Sequence, residues 1–214
     1  QAVACCVSAA TGGGGGGDAL TCYEVQGQQA SSPYEGQVVS VTGIVTVAGD
    51  EYYSSSAAYA VIADAGGGPW SGLTLYGNTI ASVARGDSIT VTGEVQEYYG
   101  LTELSYLEDL VVHSSGHGLP APEPLTTGEL ATSSGPEEWE SVLVSVSDVD
   151  VTQEPDTYGE WMVDDGSGDC KVDDLGDYTY SPGLGDPIQE LVGVLWYSFS
   201  EFKIEPRDDT DISR

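Results

Sequence analysis

The sequence predicts an all-β protein built from two tandem barrels of short strands, preceded by a flexible N-terminal segment. Two observations predict this fold class. The chain has 13 Tyr and 4 Trp, residue types that favour strands, and its glycines and prolines separate short segments as turns do. Blocks of similar residues also recur in the same order in the second half, which indicates a duplication.

The first unit contains five runs that have the composition of strands. Gly43 and Gly93 lie inside two of these runs, and an interior glycine in a strand marks a bulge or a barrel bend. The runs are residues 38–47, 59–64, 73–76, 88–95 and 101–112.

The second unit repeats this plan at a nearly constant offset. Residues 35–41 correspond to 140–146, 61–66 to 162–166, 86–87 to 185–186, and 99–104 to 197–202. About five short strands per unit, with glycine bends, fit a small Greek-key barrel such as the OB-fold. A β-sandwich is the rival architecture.

Four segments follow from this organisation. Residues 1–19 form an N-terminal extension with an oligoglycine tether at residues 12–17, and residues 20–113 form the first OB-like barrel. Residues 114–124 form a Pro/Gly-rich linker, because repeated prolines cannot join a strand ladder, and residues 125–214 form the second OB-like barrel.

Residues 35–46 and 86–103 resemble the OB-fold modules found upstream of the catalytic domain in secreted bacterial nucleases. Residues 160–166 and 172–174 in the second unit resemble the companion module of the same proteins. The resemblance covers residues 20–210 and implies the fold. The nuclease domain lies outside it, so the resemblance carries no catalytic residue onto this chain.

Charge and cysteine content point to an exported protein. The chain has 35 Asp and Glu against 5 Lys and Arg, a formal net charge of −30. Such a surface repels phosphate backbones and attracts cations, so we expect nucleic acid to be disfavoured as a partner. No run is long and apolar enough to span a membrane. We expect an extracellular or cell-surface location after removal of a signal peptide.

The cysteines are Cys5, Cys6, Cys22 and Cys170, an even number without metal-binding spacing. We expect disulfides, with Cys22 and Cys170 joined to each other or to the Cys5/Cys6 pair.

An acidic loop is the candidate metal site. Carboxylates surround a glycine turn between residues 164 and 174, and calcium prefers oxygen ligands from such loops, with an exposed acidic hairpin as the alternative. No cofactor is certain, and calcium is the one considered. The candidate ligands are Asp164, Asp165, Asp169, Asp173 and Asp174. His113 and His117 are expected to be solvated linker residues.

No catalytic constellation is recognisable, so we expect no enzyme activity. The leading hypothesis is a secreted structural protein that assembles with copies of itself into filaments, with residues 1–11 packing as a strand on a neighbouring subunit. The alternative is a nucleic-acid- or carbohydrate-binding adaptor, because exposed rings on OB barrels can stack bases or sugars. An enzyme with an unrecognised site is the third hypothesis.

Overall fold

A computed structural model describes residues 18–53 and 56–214. The residues of the first unit form one short helix and five strands. These are α1 (Cys22–Gln26), β1 (Val38–Tyr53), β2 (Ala58–Ala63), β3 (Gly72–Tyr76), β4 (Ser88–Tyr98) and β5 (Leu101–Ser114). The proposed N-terminal strand, the glycine tether, Cys5 and Cys6 lie outside the described residues.

The second unit forms one short helix and seven strands. These are β6 (Glu123–Pro124), α2 (Thr127–Leu130), β7 (Leu143–Gln153), β8 (Trp161–Asp164), β9 (Cys170–Val172), β10 (Pro187–Ser198), β11 (Glu201–Glu205) and β12 (Ile212–Ser213). Single 3-10 turns lie at Asn78–Ile80, Thr132–Ser134, Glu137–Trp139 and Asp209–Asp211. Within the described ranges, no helix is long and apolar enough to cross a membrane.

Both units are closed five-stranded barrels, which confirms the predicted fold class. The first has the strand order β1-β2-β3-β5-β4, closed by pairing of β1 with β4. The second has β7-β8-β9-β11-β10, closed by pairing of β10 with β7. In each barrel one pair is parallel, β3 with β5 and β9 with β11. The last two residues of the sequence-based linker form β6, which pairs with β7 of the second barrel.

The long first strand bends where its sequence predicts a bend. Residues Val38 to Ile44 of β1 pair with β4, and from Ile44 onward the strand pairs with β2. Gly43 stands at this change of partner, where an added Cβ would lie 3.0 Å from Cβ of Ile62. A glycine therefore lets β1 turn the corner against β2.

The two barrels correspond residue by residue, with one correction to the sequence comparison. The turn between β4 and β5 is Tyr99-Gly100, and the turn between β10 and β11 is Phe199-Ser200. All four residues have positive φ, as a two-residue hairpin turn requires. Phe199, and not Tyr197, is therefore the counterpart of Tyr99.

The two barrels also share a helix cap that was not recognised from the sequence. Thr21 caps α1 and Thr126 caps α2, each in a capping box with a glutamate three residues later, Glu24 and Glu129. In both barrels the residue before the capping threonine donates its N–H to the first strand of the barrel. Each short helix is thereby fixed in the same place on its barrel.

Each barrel has its own core, and a third apolar cluster joins the two. That cluster combines residues of both halves, and each large apolar side chain buried there contributes about 1.5–3 kcal/mol. Polar contacts reinforce it: the Tyr52 hydroxyl donates to the Glu205 carbonyl at 2.5 Å, and Arg207 Nη1 donates to the Thr46 carbonyl at 3.1 Å. Its members are Val47, Tyr52, Val61 and Leu101 from the first barrel and Leu143, Val194 and Trp196 from the second.

Candidate ligand-binding site

A cleft of about 720 Å³ lies on the second barrel where it meets the first. Strands β10 and β11 form its base, the segment after β9 and the loop before β8 form its sides, and Tyr59 of β2 reaches it from the first barrel. The lining residues are Tyr59, Asp156, Tyr158, Glu160, Asp173, Asp174, Leu175, Trp196, Ser198, Phe199, Lys203 and Glu205.

A buried lysine organises the charges of the cleft. The Lys203 side chain is 1% exposed, and its Nζ donates to Asp173 Oδ2 at 3.0 Å and to Glu160 Oε1. The parallel pairing of β9 with β11 sets Lys171 beside Lys203, and Lys171 Nζ donates to Glu160 Oε2 at 2.8 Å. Two ammonium groups therefore share one carboxylate.

These contacts fix the protonation of the group at the centre of the cleft. Burial acts to raise the pKa of Glu160, but hydrogen bonds from Lys171 and Lys203 outweigh it and lower that pKa. Burial acts to lower the pKa of Lys203, and its bonds with Glu160 and Asp173 raise it. The Glu160–Lys203 pair is therefore ionised at neutral pH.

Two other carboxyl groups of the cleft, Glu205 and Asp174, have no ion pair with a lysine or arginine of the described residues. Glu205 is buried and accepts a hydrogen bond from the Leu175 N–H at 3.1 Å. Burial, with the charge of Asp173 second, raises its pKa well above the ordinary value. Burial and the charge of Asp173 also raise the pKa of Asp174. The cleft is therefore rich in hydrogen-bond acceptors and carries excess negative charge.

Two largely exposed aromatic side chains line the cleft. Phe199 is 89% exposed and Tyr158 is 80% exposed. Phe199 is held at the tip of the β10–β11 turn with φ of 53°, and Lys203 Nζ lies 5.5 Å from the centroid of its ring. Deeper in the cleft, the rings of Tyr59 and Trp196 meet edge to face with centroids 5.2 Å apart. The cleft thus combines exposed aromatic side chains at its rim with polar side chains at its base.

The carboxylates predicted to bind calcium have other partners. Asp164 Oδ1 accepts from the N–H groups of Gly166 and Gly168, and Asp165 accepts from the N–H and hydroxyl of Thr127. The described residues contain no group of three or more His, Cys, Asp or Glu side chains that could hold a metal ion.

The remaining predicted ligands are dispersed. Asp169 accepts from the Thr152 hydroxyl at 2.6 Å, Asp173 binds Lys203, and Asp174 lines the cleft. The calcium site is therefore not supported, because the predicted ligands do not come together as one group.

The disulfide predicted between Cys22 and Cys170 does not form, and the alternative pairing with Cys5 and Cys6 involves residues outside those described. Both thiols are free and buried, Cys22 in the core of the first barrel and Cys170 in the core of the second. The predicted linker histidines make surface contacts: His113 Nε2 lies 2.7 Å from the Thr90 hydroxyl, and His117 Nε2 lies 2.7 Å from that of Ser114.

The sequence comparison missed the cleft because its walls come from distant segments. Tyr158, Trp196 and Lys203 belong to none of the recurring blocks, and Phe199 appears only as one residue of the block 197–202. The available signal was the turn at Phe199, since a large apolar residue at the tip of a two-residue hairpin has no core to enter.

No known protein-family model matches the chain, and no curated protein sequence matches it. Solved structures do match. A murine DNA-binding protein bound with dsDNA gives a TM-score of 0.40 at 12% identity, covering 78% of this chain and 92% of that chain. The Ifi202 HINa domain in complex with 20-base-pair dsDNA gives 0.38 at 13% identity, covering 78% and 93%. A structure described as "Structural mimicry for functional antagonism" gives 0.40 at 13% identity, covering 78% and 87%.

These matches contradict two expectations from the sequence. The hypothesis of a secreted, self-assembling filament protein is wrong by this comparison, and so is the expectation that nucleic acid is disfavoured as a partner, because two of the three structures named above are bound to dsDNA. Neither is carried further. At TM-scores of 0.40 and below, the matches themselves assign no ligand to this chain.

Proposed function

We propose that this chain is a non-catalytic carbohydrate-binding module and that the cleft around Lys203 is its binding site. One observation carries the proposal: the exposed aromatic side chains of Phe199 and Tyr158 line a cleft in which the buried Lys203 binds the carboxylates of Glu160 and Asp173. The proposal takes the carbohydrate form of the adaptor hypothesis.

The chemistry of a sugar complements both parts of the cleft. The C–H face of a pyranose is flat and apolar and packs on an aromatic ring, as bases do on OB barrels. Its hydroxyl groups are donors, and the carboxylates of Asp156 and Asp174 at the sides of the cleft are acceptors. Asp156 Oδ1 accepts from the N–H groups of Tyr158 and Glu160, which hold this carboxylate in place. A pocket with apolar walls and a few fixed polar groups is typical of small-ligand sites.

Two carboxyl groups of the cleft, Glu205 and Glu160, are held in ways that suit binding rather than catalysis. Hydrolysis of a glycosidic bond uses two carboxyl groups that flank the bond, one of them an acid with a raised pKa. Glu205 has the raised pKa but is buried beneath the cleft, and Glu160 is tied to two lysines. Neither is free to act on a ligand at the rim.

The experiment measures binding to a panel of neutral glucan, mannan and chitin oligosaccharides by calorimetry, with single- and double-stranded DNA oligonucleotides measured beside them. We expect the protein to bind at least one glycan, and Phe199→Ala and Tyr158→Ala each to weaken that binding about tenfold, since one stacked ring contributes about 1–3 kcal/mol.

Leu184→Ala is the matched control, because Leu184 is also an exposed apolar residue of the second barrel but lies outside the cleft. We expect it to bind as the unaltered protein does. Binding of DNA without any glycan, an equal effect of Phe199→Ala and Leu184→Ala, or cleavage of the bound glycan would overturn the proposal.

A further inference from the structure

A second cleft lies at the equivalent place on the first barrel. It has a volume of about 390 Å³ and is formed by the segment after β3 together with strands β4 and β5. Its lining residues are Tyr76, Gly77, Asn78, Thr79, Gln96, Tyr98, Glu103, Ser105, Tyr106 and Leu107.

Strand pairing establishes that the two clefts are equivalent. Glu103 pairs with Thr74 in the parallel pair of the first barrel, as Lys203 pairs with Lys171 in the second. The hairpin turns at residues 99–100 and 199–200 are also equivalent, so the strand pairs next to them correspond between the two barrels. Gln96, Tyr98, Glu103 and Ser105 thus stand where Trp196, Ser198, Lys203 and Glu205 stand.

The cleft on the first barrel has the same kind of chemistry as the cleft on the second barrel. Tyr106 is 72% exposed and has a φ of 48°, an uncommon backbone conformation for an aromatic residue. At the base, Glu103 is 3% exposed and accepts from the Ser105 hydroxyl, and burial raises its pKa. Amide groups of Asn78 and Gln96 line the sides, where they can donate to and accept from hydroxyl groups.

Tyr59 connects the two clefts. Its ring centroid lies 4.9 Å from that of Tyr76, which lines the first-barrel cleft, and 5.2 Å from that of Trp196, which lines the other. Burial, the charge of Glu103 and the neighbouring tyrosines raise its pKa to about 12. Tyr59 therefore lines the second-barrel cleft and contacts a ring that lines the first-barrel cleft. The apolar cluster between the barrels holds the two clefts in a fixed relation.

We infer that the two clefts are the halves of one groove and that its ligand is a linear chain of sugars long enough to lie across Tyr59. This inference rests on the proposed carbohydrate site and adds the length of the ligand. Occupying both halves with one chain makes the second contact intramolecular, so affinity rises with chain length without any new type of contact.

The test compares a disaccharide with a longer oligosaccharide of the glycan that binds, using calorimetry on the full chain. We expect the longer chain to bind at least about tenfold more tightly than the disaccharide, with one long chain per protein molecule. Tyr106→Ala, in the first-barrel cleft, is expected to remove most of this gain and Phe199→Ala to do the same, whereas Leu184→Ala retains it.

The outcomes separate the two proposals. If no glycan binds the unaltered protein, the proposed function itself fails. If glycans bind but the disaccharide and the longer chain bind equally, if two long chains bind per molecule, or if Tyr106→Ala leaves the length dependence intact, the carbohydrate site stands and the continuous groove is wrong.

Discussion

Glu103 and Lys203 occupy the same position in the two barrels, each almost fully buried at the base of its cleft. Duplication has thus preserved the place of a buried ionisable side chain but reversed its charge. Lys203 has carboxylate partners in Glu160 and Asp173, whereas Glu103 accepts a hydrogen bond from Ser105. Replacing Lys203 and replacing Glu103 should therefore lower the free energy of unfolding by different amounts.

Lys203→Met should lower the free energy of unfolding by about 3 kcal/mol, because it leaves Glu160 and Asp173 close together without their shared cation. Glu103→Gln should change it by about 0.5 kcal/mol or less, since the amide keeps an acceptor for Ser105 and removes a carboxyl group that burial already disfavours as an anion. Urea unfolding of both variants at neutral pH checks this. Similar losses in the two would show that the ion pairs do not stabilise the second barrel.

Glu140 should make the protein less stable as pH rises. It is buried between the barrels, where its Oε1 accepts from the Thr102 N–H at 3.0 Å, and burial raises its pKa well above the ordinary value. The folded state then binds more protons than the unfolded state, so the stability contributed by the protonated carboxyl is present at low pH and is lost as pH rises through the folded-state pKa.

Glu140→Gln should therefore raise the melting temperature near pH 8 and reduce its decline between about pH 5 and about pH 8, since each unit of pKa difference corresponds to about 1.4 kcal/mol. Exposed Glu108→Gln is the control and should follow the unaltered protein. Calorimetric melting across this range measures both. An unchanged slope in Glu140→Gln would assign the pH dependence to other carboxyl groups.

Cys22 and Cys170 should resist thiol reagents in the native protein. Burial and the charge of Asp64 raise the pKa of Cys22, and burial with the charge of Asp165 raises that of Cys170 to about 12. The reactive thiolate is therefore scarce as well as inaccessible. Alkylation followed by peptide mapping should label both only after unfolding. A non-reduced peptide containing Cys22 linked to Cys170 would contradict the structure.

The sequence contained enough information to predict the barrels but not the groove. Strand composition, interior glycines such as Gly43 and the recurring blocks specify local bends and a duplication, and these are local properties. The repeat of Thr21 to Glu24 at Thr126 to Glu129 was also visible, but very short helices in a β-rich chain give no periodic signal.

The groove depends on contacts between distant parts of the chain. The rings of Tyr59 and Trp196 are in contact because the two barrels pack together. Lys203 reaches Glu160 because β11, which carries Lys203, pairs in parallel with β9. A composition of 35 acidic and 5 basic residues likewise does not show that Lys171 and Lys203 lie side by side. Such relationships need the tertiary structure.

Gly72→Ala should weaken the joint between the barrels. An added Cβ at Gly72 would lie 2.0 Å from the carbonyl oxygen of Ser141 and 2.7 Å from the backbone N of Val142, so the first barrel touches the second backbone to backbone. Beside it, the hydroxyl groups of Thr74 and Ser141 lie 2.8 Å apart. The barrels must move apart to relieve this clash. Overpacking of this kind lowers the free energy of unfolding by about 1–3 kcal/mol.

Gly66→Ala is the matched control, because Gly66 lies in the connection from β2 to β3, shortly before Gly72, with open space around it. We expect Gly72→Ala to unfold at lower urea concentration and to exchange backbone amide hydrogens faster at the ends of β3 and β7, where the barrels meet. Gly66→Ala should match the unaltered protein or be more stable by about 0.4–1 kcal/mol, because alanine restricts the unfolded chain. Equal stability and equal exchange in the two variants would show that the barrels are not held together at this contact, and the fixed relation between the two clefts would lose its support.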